Sequence, residues 1–272
     1  AARTWTRTLD DRLGVSHEEF ARKCRSPAHA LPTQERLLAD RDDHRIERGA
    51  RDVMPPDNPW GFKRNAPRYL YDHGEIHNLT IGRGTLSEEE RYKVEDHIVQ
   101  TQIMLSRLPF PKHLRNVPEI AGGHHEKMDG TGYPLALSGE QISLIGAMSA
   151  IVDVYDALTS VRVYKEAWEP SVALKKMLEW SPAHFDRGLV QHFIRCLGIY
   201  PVGSLVALES GLVGIVMEQG SDLLRPQLRI VYHGKKRRYE KVRDMDLAQN
   251  QTDRIVATIS PTQYGIDLGA FL

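Results

Sequence analysis

The sequence contains few cysteines and no long apolar run. Its 272 residues include only two cysteines, Cys24 and Cys196, which lie far apart and form no CxxC pair. This excludes a disulfide framework and a thiolate metal site, and it is typical of a protein from a reducing cytosol. No uninterrupted apolar stretch approaches the ~20 residues that a membrane span requires. We therefore expect a cytoplasmic protein without a membrane span.

The sequence also lacks an excess of charge of either sign. Its 36 lysines and arginines balance 36 aspartates and glutamates, and 41% of the residues are hydrophobic. This composition indicates a globular protein and argues against binding of a nucleic-acid polymer, which normally requires a basic surplus. Binding of nucleic acid by the basic run at residues 235–238 is a weak alternative hypothesis, because such runs are usually solvated turns.

An initiator methionine and a signal-like start are missing as well, since the chain opens Ala1-Ala2-Arg3-Thr4. We expect a longer parent protein that continues upstream.

The pattern along the chain predicts three parts. These are a charged, helical or extended N-terminal segment (1–84), a helical core (85–200) and a small β extension (201–272).

The N-terminal part carries weak helical signals. Ser16 followed by acidic residues predicts a short helix, because a serine N-cap and acids in the first turn suit the helix dipole. The residues after Pro32 predict a second short helix. The proline-rich residues 54–67 indicate a linker or an extended arm outside the core.

The central part predicts five helices joined by short loops, which form a mainly α bundle. Ser87 and Glu90 form a capping box, and a stripe at helical spacing follows it, which consists of Val94, Ile98, Thr101 and Leu105. Further helices are predicted at about 112–125, 142–158, 171–180 and 185–197. The predicted apolar stripe of the third helix consists of Ile142, Ile145, Met148, Val152, Tyr155 and Leu158.

After Gly198 the apolar residues alternate with a period of two, which predicts strands. The strands around residues 202–207 and 213–217 flank Ser210-Gly211, a typical hairpin turn. A further strand is expected at 228–232, before the basic turn at 234–238. The fold class is therefore mainly α with a C-terminal β extension.

Histidine is frequent, with twelve residues, and some of these histidines accompany acidic residues. Adjacent helical residues point about 100° apart, so His124 and His125 suit two neighbouring metal ions better than one. His97 lies at the edge of an apolar stripe, and Asp153 interrupts another, where a buried carboxylate requires a cation or donors. The alternatives are a structural His97, a surface histidine pair and an Asp153 that pairs with arginine. Imidazole and carboxylate ligands suit Fe, Mn or Zn.

The segment HHEKMDGTGYP at residues 124–134 resembles the signature of the HD-GYP family of cyclic di-GMP phosphodiesterases, HHE-x-x-DG-x-GYP. It matches every fixed position of that signature. The chemistry is consistent with this resemblance, because two histidines can bind metals and a glycine-rich loop lets backbone approach a phosphate. The resemblance implies an HD-GYP-type helical fold for the core.

The resemblance extends over residues 85–197. Asp153 matches the family's metal-binding aspartate, and His97 matches the single histidine that precedes the double histidine. Arg162 and Lys165 match the basic pair that contacts the substrate phosphates. The implied metal ligands are therefore His97, His124, His125 and Asp153, and the implied cofactors are two or three divalent metal ions, Fe or Mn.

Other residues of the motif have implied roles of their own. Tyr133 is expected to stack on or orient a guanine, and packing of the loop is an equal alternative. Lys127 and Asp129 are assigned to the catalytic loop, where we expect them to shape it more than to react directly.

One part of the family pattern is missing. The family takes its name from a His-Asp dyad followed by a lysine, and this chain contains no His-Asp dipeptide, since Asp72-His73 has the reverse order. The dyad's aspartate bridges the metals in the family. Either this protein has lost the dyad or the dyad lies upstream of Ala1, and the start of the chain favours truncation.

The resemblance implies hydrolysis of cyclic di-GMP to linear pGpG, GMP or both in bacterial signal transduction. The alternative is a catalytically inactive module that binds cyclic di-GMP or a protein. In that case the Gly-Tyr-Pro loop would present a surface to a protein partner. A homodimer is a further hypothesis about partners.

Overall fold

The computed structural model describes residues 3–82, 84–162, 165–250, 252–260 and 263–271. The chain forms two compact units, Ala1–Arg107 and Leu108–Leu272. The first unit contains short strands and three helices: β1 (Thr4–Arg7), α1 (His17–Lys23), β2 (Thr33–Arg36), β3 (Arg45–Glu47), β4 (Tyr69–Asp72), α2 (Glu75–Leu79) and α3 (Glu88–Ser106). β1 pairs with β2 and β3 pairs with β4, both antiparallel.

The two helical predictions for the N-terminal part had different outcomes. Ser16 caps α1, because its side chain accepts a hydrogen bond from the Glu19 backbone N–H at 3.2 Å. The helix expected after Pro32 is wrong, since Thr33–Arg36 forms β2. Its side chains alternate between half-buried and exposed, and Arg7 Nε donates to Glu35 Oε1 across the strand pair at 2.6 Å. The side chains of this segment therefore alternate with the two-residue period of a β-strand.

Residues 54–67, all of which the structure describes, contain neither helix nor strand. The expectation that this segment lies outside the core is wrong at Phe62, which is buried. Asn58 holds the turn around it, since its Oδ1 accepts hydrogen bonds from the backbone N–H groups of Trp60 (3.2 Å) and Phe62 (3.0 Å).

Helix α3 begins as predicted. Ser87 Oγ accepts from the Glu90 N–H at 3.2 Å, and the Glu90 carboxylate accepts from the Ser87 N–H at 2.9 Å, which confirms the capping box. The predicted apolar stripe is wrong at Val94, which is exposed, whereas Ile98 and Val99 are buried. The buried face therefore includes Val99, which lies outside the predicted stripe.

In its described residues, the second unit contains four helices followed by five strands. They are α4 (Val117–Gly123), α5 (Leu144–Thr159), α6 (Pro170–Trp180), α7 (Arg187–Leu197), β5 (Leu205–Leu208), β6 (Leu212–Glu218), β7 (Gln227–His233), β8 (Arg238–Asp246) and β9 (Ile255–Thr258). The helix expected at 112–125 is shorter than predicted: a 3-10 turn, Lys112–Leu114, precedes α4, and α4 ends before the two histidines.

Helix α5 forms where the sequence predicts it but buries a different face. Ile145, Met148 and Val152 of the predicted stripe are at least half exposed, whereas Gly146 and Ala150 are buried. The physical reason is close packing: a Cβ on Gly146 would lie 3.7 Å from Gly123 Cα of α4. Small residues allow the two helices to approach closely, and a hydropathy pattern does not identify the helix face that carries them.

The helices of the second unit share one apolar core, and the strands form another part of the unit. Side chains of α5, α6 and α7 pack together, with Ile151, Met177 and Val190 fully buried. The strands form an antiparallel sheet in the order β8-β7-β6-β5-β9. Gly211 has a φ of +91°, as the predicted hairpin turn between β5 and β6 requires.

The helices before Gly198 and the sheet after it agree with a mainly α fold with a β extension. Arrangement of the helices as a bundle and the division into 1–84, 85–200 and 201–272 stay predictions. In the part of the chain that the structure describes, no helix is both long and apolar enough to cross a membrane.

Candidate metal and phosphate site

The motif loop, residues 124–134, begins directly at the end of α4. His124 is the C-cap residue of that helix, and both His124 and His125 are half-buried. Their ring centroids lie 4.1 Å apart, and the His125 ring stacks on Tyr133 with centroids 4.8 Å apart. The loop therefore folds back on itself, and its tyrosine lies against its second histidine.

Two of the predicted metal ligands have the same local hydrogen bond. His124 Nδ1 lies 2.8 Å from the Ala121 carbonyl oxygen, and in the first unit His97 Nδ1 lies 2.7 Å from the Val94 carbonyl oxygen. A carbonyl only accepts, so Nδ1 carries the proton and the lone pair of the neutral ring is on Nε2. A hydrogen bond from the other ring nitrogen to a backbone carbonyl is typical of metal-binding histidines.

Glu126 holds the motif loop closed. Its side chain is 2% exposed, and its carboxylate accepts hydrogen bonds from the backbone N–H groups of Leu135 (2.7 Å) and Leu137 (2.8 Å). These charge-assisted bonds join the start of the loop to the segment after it. Glu126 has no predicted role, although it occupies a fixed position of the motif.

The two residues assigned to the catalytic loop lie in its outer turn. Asp129 Oδ1 accepts from the Thr131 N–H (2.9 Å) and the Thr131 hydroxyl (2.7 Å), which lowers the pKa of this carboxyl. The Asp129 N–H donates to the Ala183 carbonyl at 2.9 Å. These contacts are those of a residue that shapes the loop, and a direct catalytic role of Lys127 or Asp129 stays a prediction.

His184 lies beside this turn and was missed by the sequence analysis. Its carbonyl accepts from the Met128 N–H at 3.2 Å, and its ring stacks on Phe185 with centroids 4.0 Å apart. Burial lowers the pKa of His184, the nearby Lys127 cation lowers it further, and Asp129 opposes them. The aromatic run Trp180–Phe185 is the sequence signal that could have indicated a packed histidine.

We expect acid to destabilise the protein through His184. Its pKa in the fold is below the ordinary value of 6.5, so the unfolded chain binds more protons and stability falls as pH drops below that value. Urea unfolding from about pH 8 to about pH 5 should show this loss, and His184→Phe, which keeps the stacking, should reduce it. The matched variant His192→Phe, at an exposed position, should keep the native profile. An unchanged profile in His184→Phe would contradict the assignment.

Asp153 lies on α5, seven residues after the glycine that contacts α4, or about 10 Å along the helix. The expectation that its carboxylate is buried is wrong, since the residue is exposed. Seven residues are almost two full helical turns, so Asp153 lies on the same face of α5 as Gly146, the small residue that packs on α4. Its role as a metal ligand stays a prediction.

The basic pair lies in the turn after α5. Arg162 and Lys165 exchange two backbone hydrogen bonds, of 2.9 and 3.0 Å, while residues 163 and 164 between them lie outside the described residues. Lys165 Nζ donates to the Ala157 carbonyl at 3.4 Å and lies 5.0 Å from the centroid of the Trp168 ring. The turn thus pairs the backbones of Arg162 and Lys165 just after the helix that carries Asp153.

Comparison with curated proteins finds similar enzymes. The chain is 46% identical over 142 residues to a cyclic di-GMP phosphodiesterase of Pseudomonas aeruginosa, covering 52% of this chain and 34% of the relative. It is 45% identical over 129 residues to a cyclic di-GMP phosphodiesterase response regulator of Xanthomonas campestris, covering 46% and 34%. A 3'3'-cGAMP-specific phosphodiesterase of Vibrio cholerae is 39% identical over 114 residues, covering 40% and 24%.

These matches confirm the resemblance to HD-GYP phosphodiesterases. The chain spans about a third or less of the length of these relatives. The HD domain family, whose members bind divalent metals, matches residues 32–189, which is more than half of the chain. The chain therefore belongs to the HD domain family.

Proposed function

We propose that this chain carries the metal-binding and phosphate-binding part of a phosphodiesterase that hydrolyses cyclic di-GMP to linear pGpG, GMP or both. The observation that carries the proposal is the motif loop, in which adjacent histidines follow a helix end and a buried Glu126 fixes the backbone. Two of the similar proteins named above are cyclic di-GMP phosphodiesterases, which supports this substrate. The activity would serve bacterial second-messenger signalling.

The residues that would hold the metals are three imidazoles and a carboxylate, a donor set that suits Fe or Mn. They are His97, His124, His125 and Asp153, and we propose two or three divalent ions. When bound, such ions supply an activated water and polarise the phosphodiester. The carbonyl bonds at Nδ1 of His97 and His124 fix the tautomer in which Nε2 is the ligand atom.

The remaining residues of the site would handle the substrate. Arg162 and Lys165 would offset the charge of the phosphate oxygens, and a guanidinium can do so through two parallel hydrogen bonds. Tyr133, fixed by its stacking on His125, would orient a guanine. Lys127 and Asp129 would keep the outer turn of the loop in place.

The test is turnover by the purified 272-residue chain, loaded with Mn(II) or Fe(II) and supplied with cyclic di-GMP. We expect linear pGpG or GMP as product, with 3'3'-cGAMP as a parallel substrate. His124→Ala and His125→Ala should each lower bound metal and reduce turnover by about 100-fold or more. The exposed His113 provides the matched control, and His113→Ala should behave as the native chain. Full metal content and activity in both motif variants would refute the metal assignment.

A specific observation favours the second candidate function. The sequence contains no His-Asp dipeptide, so the dyad that gives the resembled family its name is missing from this chain. We propose as the alternative an inactive module that binds cyclic di-GMP or, through the Gly-Tyr-Pro loop, a protein partner, with a homodimer as one assembly. Binding of cyclic di-GMP without product in the same assay supports this alternative, whereas turnover excludes it.

A further inference from the structure

The first unit contains a cavity of about 490 Å³ that none of the predicted metal or substrate residues lines. It lies between residues 48–55, β4 and one face of α3. This volume is in the range of small-molecule binding sites. On α3 the lining residues Glu89, Lys93 and Asp96 share a face, and His97 points about 80° away from it.

Two of the three acidic residues of the cavity have donors. These are Asp52, which accepts from the Gly49 N–H at 2.8 Å, and Asp96, which pairs with Arg64 at 3.4 Å and Gln100 at 3.1 Å. The third, Glu89, is buried, and its Oε2 lies 3.5 Å from His77 Nε2 without a hydrogen bond in the described part of the chain. The negative charge of Asp52 and Asp96 is therefore directed to groups of the protein itself.

The cations of the cavity have no such partners. Among the residues that the structure describes, no carboxylate pairs with Arg48, Arg51 or Lys93. Arg48 is held in place, since its Nε donates to the Pro67 carbonyl at 2.7 Å and its guanidinium lies 4.6 Å from the centroid of the Tyr92 ring. Its Nη2 is buried and has no hydrogen-bond partner. Such a donor is costly unless a ligand accepts from it.

The remaining wall is apolar and aromatic. Val53, Met54 and Leu70 line it together with Tyr92. An inorganic anion would leave this wall uncovered, whereas an organic body attached to the anion would cover it. Three unpaired cations suit a doubly charged phosphate, which accepts parallel hydrogen bonds from a guanidinium.

We propose that this cavity binds an organic phosphomonoester of mononucleotide size. The phosphate contacts Arg48, Arg51 and Lys93, and the base or another flat body lies against Tyr92 and the apolar wall. This site is independent of the proposed hydrolysis and requires no metal.

The test is calorimetric titration of the full chain with GMP and AMP in the presence of a chelator, so that the proposed metal ligands do not contribute. We expect binding of a mononucleotide, with Arg51→Gln and Lys93→Gln each weakening it by about tenfold. Both positions are exposed, so these variants should fold. Arg91→Gln removes the same charge from the opposite, exposed face of α3 and should bind as the native chain does.

Titration with guanosine and with inorganic phosphate tests recognition of the base and of the phosphate separately. Guanosine and inorganic phosphate should each bind at least about tenfold more weakly than GMP, because each lacks one part of the recognised group. The proposal is overturned if neither mononucleotide binds, if guanosine binds as tightly as GMP, or if phosphate alone does so. Equal affinity of Arg51→Gln, Lys93→Gln and the native chain also overturns it.

Discussion

Replacement of Glu126 by alanine is expected to destabilise the second unit by about 2–5 kcal/mol and to abolish function of the motif loop. The Glu126 carboxylate is almost fully buried and accepts from the backbone N–H groups of Leu135 and Leu137. Alanine would leave both donors unsatisfied inside the protein, and each would cost about 1–3 kcal/mol. It would also leave a cavity beside the backbone of Leu135 and Leu137.

A graded pair of substitutions tests this account. Glu126→Gln keeps the shape, but its amide nitrogen must face one of the two N–H donors, so we expect about half of the alanine effect. Glu140→Ala removes an exposed carboxylate nearby and should change the free energy of unfolding by less than about 0.5 kcal/mol. Urea unfolding measures the three values, and metal content reports the state of the loop. A Glu126→Ala chain as stable as Glu140→Ala would show that the carboxylate does not hold the loop.

The local parts of the fold were predictable from the sequence. The capping box of Ser87 and Glu90 and the N-cap of Ser16 each depend on residues three apart, so the sequence pattern contains the whole interaction. Gly211 likewise determines its hairpin turn through its own backbone angle. Where cause and effect lie within one turn, prediction and structure agree.

The predictions that failed depend on partners distant in sequence. The residues after Pro32 form a strand because β1 pairs with them from about thirty positions upstream. The buried face of α5 is set by the close approach of the Gly123 backbone to Gly146, which hydropathy does not reveal.

In the site, too, local features were predictable and long-range contacts were not. The motif itself indicated the histidines and the glycine-rich loop, but the function of Glu126 required knowledge of which backbone N–H groups return to it, nine and eleven residues later. His184 was missed because its neighbours in space, Met128 and Asp129, are more than fifty positions away. A motif indicates residue types, whereas the contacts that support them come from the fold.

Gly132→Ala is expected to disrupt the motif loop through lack of space. A Cβ at this position would lie 2.5 Å from Glu126 Cα and 2.7 Å from Glu126 C, whereas ordinary contacts begin at 3.4 Å. Both obstacles are backbone atoms, so the loop must open by about 1 Å between its first and last parts. Overpacking of this kind costs about 1–3 kcal/mol, and a shift of this size can reduce turnover by about 100-fold.

Substitutions at two other glycines distinguish the effect of steric overlap from the effect of backbone strain. Gly130 has a φ of +77°, and its added Cβ would meet the Ser138 side chain, with Cβ at 3.3 Å and Oγ at 4.0 Å, so Gly130→Ala should cost about 1–2 kcal/mol through conformation. Gly82 has open space around it, and Gly82→Ala should be nearly neutral. Unfolding free energies and metal content, measured together, should rank the damage Gly132→Ala, then Gly130→Ala, then Gly82→Ala. Native stability and metal content in Gly132→Ala would contradict the close contact between Gly132 and Glu126 on which the geometry of the loop depends.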